Sequence, residues 1–220
     1  HVVVEEPSLA RLIRNHLAAD FALAKSLGGR LEGFADDVLV DVRIPLPDAI
    51  VEPEAAPRDI MDAFRVRKHT RITPILTPDG RGRFYREAVL DLIASADRTL
   101  SLQVPYIALA GSPGKHLTDI VNALVDKSRS IQVRVIIRSG TSGLTESMEL
   151  LKRKGMDIRS CVRGLARTHT KGIVADGRRV MIGSHNWSTP GVSLNRDASI
   201  IFDDPDVAAY YENAFDMDWD

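Results

Sequence analysis

The sequence holds one cysteine, Cys161, so no internal disulfide can brace the fold, and a lone thiol suits a reducing compartment. Aromatic residues make up only 5% of the chain, too few for the base-stacking platform of a single-strand nucleic-acid reader. No apolar run approaches the roughly 18 residues needed to cross a bilayer, and no basic-then-apolar signal pattern opens the chain, which starts at His1 without a Met. Charge of one sign is missing too. Lys and Arg (29) balance Asp and Glu (30), so the molecule as a whole is not steered towards nucleic acid or an anionic membrane, and any anion site must be local. The compartment is left unassigned by these features; a chain soluble as given, in the cytoplasm or at a membrane periphery, is the expectation. What remains is ordinary: 44% hydrophobic residues, enough for a sizeable core.

From Arg71 onward short apolar runs alternate with stretches of helical period, the pattern of an α/β layered domain with a mixed sheet flanked by helices on both faces. Strands are predicted at residues 72–76, 100–104, 131–137, 170–175, 179–182 and 198–202. Helices are predicted where Phe84, Ala88, Val89, Leu92, Ile93 and Ala96 share a face, where Leu117, Ile120, Val121, Leu124 and Val125 do, and where Leu144, Met148 and Leu151 precede Gly155.

Residues 22–70 break this rhythm with Gly28-Gly29, prolines at 45, 47, 53 and 57 and an acidic stretch, and they read as a linker holding one strand at residues 38–44. Before it, Val2-Val3-Val4-Glu5-Glu6-Pro7, then an amphipathic stretch closing on Asp20-Phe21, echoes Ile200-Ile201-Phe202-Asp203-Asp204-Pro205, whose own helix closes on Asp218-Trp219. Acids and Pro at a helix start suit its exposed N–H groups and dipole. The expected organisation is therefore the tail of a preceding copy (1–21), a linker (22–70) and one domain (71–220).

Chemistry concentrates in the last third. A strand aims residues two apart at one face, which brings His169 and Lys171 together. An imidazole can attack phosphorus or carry a proton near neutral pH, and an ammonium offsets charge on non-bridging phosphate oxygens. Ser184 and Asn186 are likewise two apart and can hydrogen-bond the same oxygens, while Gly183 is expected to let the backbone approach a ligand closely. His185, between them, should face the opposite way. No Asp/Glu/His set here has metal-ligand spacing, so neither a metal nor another cofactor is expected. The basic residues Arg159, Arg163, Arg167, Lys171, Arg178 and Arg179, against the single acid Asp176, are expected to form a local anion-attracting patch.

His169, Lys171, Asp176, Gly183, Ser184 and Asn186 match, position for position, the H-x-K-x4-D and G-S-x-N signature, and residues 71–219 resemble the phospholipase D superfamily. The resemblance implies displacement at phosphorus in two steps, through a phosphohistidine, with a second histidine from another motif copy protonating the leaving alcohol. That copy would lie upstream in the parent chain or come from a homodimer. The resemblance also places Asn195 and Asp197 where the family carries an Asn and an acidic residue that holds the catalytic imidazole, so Asp197 is expected within hydrogen-bond reach of His169. Asp176 is expected to bond local backbone beside Gly177. Phosphodiester hydrolysis or transfer to an alcohol follows, on a phospholipid or, as an alternative, a nucleic acid. A catalytically silent phosphate- or partner-binding fragment is the third reading. Gln103-Val104-Pro105-Tyr106, resembling a strand end of two-copy phospholipid enzymes, favours lipid.

Overall fold

The computed structural model describes residues 4–26, 64–108, 114–140 and 142–220. The chain divides into two units, His1–Ile60 and Met61–Asp220. In the first, helix α1 (Pro7–Ser26) begins where Glu6 accepts a hydrogen bond from the Leu9 amide at 2.6 Å. The helix does not close at Asp20-Phe21: Ala22, Leu23, Ala24 and Lys25 are strong helix formers, and it runs on to Ser26. The strand expected at 38–44 lies outside the described residues.

The second unit runs β1 (Arg71–Leu76), α2 (Arg83–Ala94), β2 (Thr99–Val104), β3 (Ile107–Ala108), α3 (Lys115–Lys127), β4 (Gln132–Ser139), α4 (Ser142–Arg153), α5 (Ile158–Cys161), β5 (Val162–Ala166), β6 (Gly172–Ala175), β7 (Arg179–Gly183), β8 (Trp187–Ser188), α6 (Thr189–Ser193), β9 (Ala198–Asp203) and α7 (Pro205–Trp219). Among the described residues seven strands form one mixed sheet in the order β1-β9-β7-β6-β2-β4-β5, and β3 pairs with β8 in a small second one. β2, β4 and β5 are mutually parallel, and β1, β9, β7, β6 and β2 alternate in direction. Pro74 is tolerated because β1 is an edge strand.

Alternation along each strand sorts the two faces. Leu100, Leu102 and Val104 of β2, with Val133, Val135 and Ile137 of β4, join the apolar faces of α2, α3 and α4 in one core. Each such fully buried side chain contributes about 2 kcal/mol. Ser101, Gln103 and Arg134 point the other way, to α7, where Arg134 reaches Glu212 at 3.1 Å and Asp216 at 2.6 Å. α7 starts on Pro205, with Asp204 accepting from the Asp206 and Val207 amides. Asp204 also takes Lys68 at 2.7 Å and Thr70 at 2.6 Å, and Phe64 stacks on Tyr210, so the segment preceding β1 bears on α7.

β6 and β7 turn at Asp176-Gly177, both at positive φ (54° and 60°), a conformation Gly adopts freely and Asp tolerates. Asp176 does not bond the local backbone beside Gly177 as expected. Its carboxylate accepts from the amides of Asp97, Arg98 and Thr99 at 2.7–2.8 Å, because the antiparallel pairing of β6 with β2 brings the start of β2 beside the turn. Burial pushes its pKa up, but the three amides outweigh this and hold it below the usual carboxylate value. Among the described residues no helix is long and apolar enough to cross a membrane.

Candidate active site

One end of the sheet gathers the C-termini of β1, β2, β4 and β7 with the N-termini of β6 and β9. Regular β6 pairing begins only at Gly172, so His169 and Lys171 sit in the extended lead-in to it, which the bond from the Gly183 amide to the Lys171 carbonyl (3.3 Å) keeps in line. The lead-in is anchored from the sheet interior. Gln103, buried on β2, donates to the buried Thr168 hydroxyl at 2.8 Å and to Asp218 at 2.9 Å, fixing the residue before His169.

His169 and Lys171 point together: the Lys171 ammonium lies 2.9 Å from His169 Nδ1 and 3.1 Å from Nε2, and donates to the His169 carbonyl at 2.8 Å. The charge of Lys171 first, then burial, then Arg138 hold the pKa of the exposed His169 imidazole below its ordinary value, which favours the neutral ring. Burial first, aided by Arg138 and opposed by Asp197, lowers the Lys171 pKa.

The expected Asp197–His169 hydrogen bond is not formed. Asp197 Oδ1 instead accepts from the Ser184 hydroxyl at 2.6 Å, while Ser184 Oγ takes the Ala198 amide at 3.0 Å and its own amide bonds the Ala198 carbonyl at 2.9 Å. The short Asp197 side chain, just before β9 begins at Ala198, is taken up by Ser184 instead of the imidazole. Gly183 also serves another partner than expected. A Cβ there would lie 2.1 Å from Ser199 Oγ and 2.4 Å from the Ala198 carbonyl, so the close approach it permits is of β9 to β7. The Asn186 side chain makes no hydrogen bond to any described residue and its Oδ1 is buried, while its carbonyl takes the Ser188 amide. Asn195 contributes backbone: its carbonyl accepts from Thr77 Oγ1 at 2.6 Å and its amide bonds the Pro190 carbonyl.

His185 faces inward as expected and is 1% exposed, stacked on Tyr85 with ring centroids 4.2 Å apart. Thr77 Oγ1 donates to Asn195 and takes the Asp197 amide at 3.2 Å, so towards His185 it acts as acceptor from Nε2–H (3.1 Å); Nδ1 then accepts from Ser199 Oγ at 2.7 Å. Both nitrogens are committed in the neutral ring. Burial pushes the His185 pKa down to about 4. Trp187, 1% exposed, is core.

The basic run is not a patch. β6 carries the chain across the sheet, so Arg178 and Arg179 lie at its far end, with Arg179 held by Asp203 and Asp91, and Arg163 sits over the Trp219 ring. The cation that sequence proximity missed is Arg138, at the end of β4, whose charge acts on both motif residues. Among the described residues no three His, Cys, Asp or Glu gather as a metal site.

A mixed sheet that sets a His-x-Lys pair beside a Ser-x-Asn strand end defines a domain of the phospholipase D class. The chain belongs to the family described as "Cardiolipin synthase, PLD-like domain", whose pattern matches residues 89–219. It is 29% identical over 145 residues to the mitochondrial cardiolipin hydrolase of Chlamydomonas reinhardtii, covering 66% of this chain and 59% of that protein. It is 27% identical over 93 residues to that of Danio rerio, covering 42% of this chain and 41% of that one. The chain thus spans little over half, or less, of these relatives. Among solved structures the fold resembles Nuc, a phospholipase D family member from Salmonella typhimurium (TM-score 0.55, 19% identity, 69% of this chain and 95% of that one), and NucT from Helicobacter pylori (TM-score 0.56, 18% identity, 69% and 96%).

Proposed function

We propose that the chain is a phosphodiesterase of the phospholipase D type and supplies one of two motif copies. The observation that carries this is the meeting of the His169 imidazole and the Lys171 ammonium within 3.1 Å at a sheet end that also presents Ser184 and Asn186. His169 attacks phosphorus and the leaving alkoxide departs as the P–O bond breaks, giving a phosphohistidine. Lys171 turns from the ring to the non-bridging oxygens, Asn186 donates to them, the Ser184 hydroxyl joins in by turning its one proton from Asp197 to the phosphate, and water or an alcohol then releases the phosphoryl group. Asp197 positions the Ser184 side chain in the resting site rather than the imidazole.

A leaving alkoxide needs a proton while the nucleophile attacks from the other side, and one imidazole cannot do both at once. The second histidine comes from another copy, upstream or in a homodimer. Residues 1–21 read as the end of an upstream copy, a reading that the matching caps support: Glu6 before Pro7 and Asp204 before Pro205 each accept the amide three residues on. The linker expected at 22–70 then follows the close of α1 at Ser26, and 71–220 is the catalytic domain, which Phe64, Lys68 and Thr70 join through α7. The substrate is a phospholipid diester, supported by relatives named cardiolipin hydrolases. The test is release of head-group alcohol from phospholipid vesicles by wild type and His169→Ala. Turnover that survives the substitution would overturn the reading.

A further inference from the structure

Thr77 follows the last residue of β1 at the catalytic end of the sheet and is 0% exposed. A buried hydroxyl is costly unless its bonds are made, and here its one proton and both lone pairs are committed. It donates to the Asn195 carbonyl at 2.6 Å and accepts from the Asp197 amide at 3.2 Å and from His185 Nε2–H at 3.1 Å. The Thr77 amide adds a bond to the Asp197 carbonyl at 3.0 Å. One residue thus holds Asn195-Arg196-Asp197 at both ends, and the His185 ring behind it is tied in turn to Ser199 of β9. Such a satisfied, buried polar network is rigid.

The segment so held carries the carboxylate of the site. Pairing between β1 and β9 ends at Leu76 and Ala198, one residue short of Asp197, so the ladder does not place this side chain and the Thr77 bonds take over from it. Asp197 Oδ1 in turn takes the Ser184 hydroxyl at 2.6 Å. We propose that Thr77 is a positioning residue for the phosphodiester reaction and acts through Asp197: its hydroxyl sets the carboxylate that orients Ser184 and balances the charge of Lys171. A valine would fill the same space, so the hydroxyl is what the position adds. The Lys171 pKa agrees with this, because Asp197 raises it against burial and Arg138.

The inference rests on the phosphodiester site proposed above, and one readout needs no turnover. Thr77→Val keeps the shape and removes the hydroxyl; Thr77→Ser keeps the hydroxyl. The substrate is bis(4-nitrophenyl) phosphate, whose leaving group departs without a proton and so needs no second histidine. Thr77→Val should lower kcat roughly 10- to 100-fold with KM little changed, and Thr77→Ser should restore it. In an Asp197→Ala background, Thr77→Val should cost less than about 3-fold more, since the group it acts through is already gone. Losses that multiply in the double variant mark a merely structural threonine and overturn the inference. Without any substrate, NMR of the Lys171 ammonium should show a lower pKa in Thr77→Val than in wild type or Thr77→Ser, because of the charged or titratable groups facing it, Asp197, Arg138 and the His169 ring, Asp197 is the one that raises it. An unchanged Lys171 titration also overturns the inference. Should Thr77→Val not fold, Thr77→Cys, of similar volume with a much weaker donor, carries the same comparisons. If wild type does not turn over the diester, the phosphodiester site itself fails, and the Lys171 titration still decides whether Thr77 sets Asp197.

Discussion

Replacing His185 with Phe tests the buried arrangement behind the site through its pH dependence. The unfolded chain protonates His185 near its ordinary pKa of 6.5, whereas the folded ring, buried with both nitrogens committed, resists until about 4. A depressed folded pKa means the native state forgoes a proton that the unfolded state takes up. Stability attached to the neutral ring is full above pH 6.5 and falls as pH drops through the window down to about 4. At pH 5 the loss relative to pH 7.5 is about 2 kcal/mol, approaching about 3 kcal/mol below the folded pKa. The difference between wild type and His185→Phe isolates this group from every other ionisable one. Urea unfolding at pH 7.5, 6 and 5 is the assay. The variant, though less stable at pH 7.5 through lost hydrogen bonds, should lose about 2 kcal/mol less than wild type on acidification. Identical slopes for the two proteins would refute the assignment of a buried neutral His185.

Asp176→Asn should destabilise the domain by about 2 to 4 kcal/mol in chemical denaturation, because a carboxylate serving three amides becomes a neutral amide with one acceptor. Since the folded pKa of Asp176 lies below its unfolded value, that contribution is present above pH about 4 and is lost as pH falls further. Gly183→Ala should cost about 3 kcal/mol and disturb the β7–β9 pairing, seen as faster amide exchange in β9, because its Cβ has no room against Ser199 and the Ala198 carbonyl. Lys171→Gln should raise the pKa of His169, read by NMR of the ring without reference to activity, as Lys171 is the largest cause of its depression. In wild type the acid limb of the rate profile should accordingly lie below pH about 6.5.

The strands and long helices were legible because their periodicity coincides with burial: Leu100 and Leu102, or Ile120 and Leu124, are apolar for the reason they are inside. β5 was not. Arg163 and Gly164 dilute its pattern, as an edge strand exposed along one side permits. The short α5 and α6 are too brief to show a period. At the site, spacing sufficed to bring His169 to Lys171 and to turn His185 inward, since two-residue alternation decides both. It could not tell which of two close hydroxyl or imidazole partners would take Asp197, nor that the charge of Arg138, thirty-one residues before His169, acts on it. Those depend on register between strands, which a linear reading does not contain.

The account's central claim is that His169 is the nucleophile. Wild-type protein would be mixed with a phospholipid diester, quenched within one turnover into alkali, where a phosphohistidine survives, and its peptides read by mass spectrometry. The account predicts a substrate-derived phosphoryl adduct on His169, absent from His169→Ala. Turnover with His169 unmodified, or with the adduct on another residue, would contradict it.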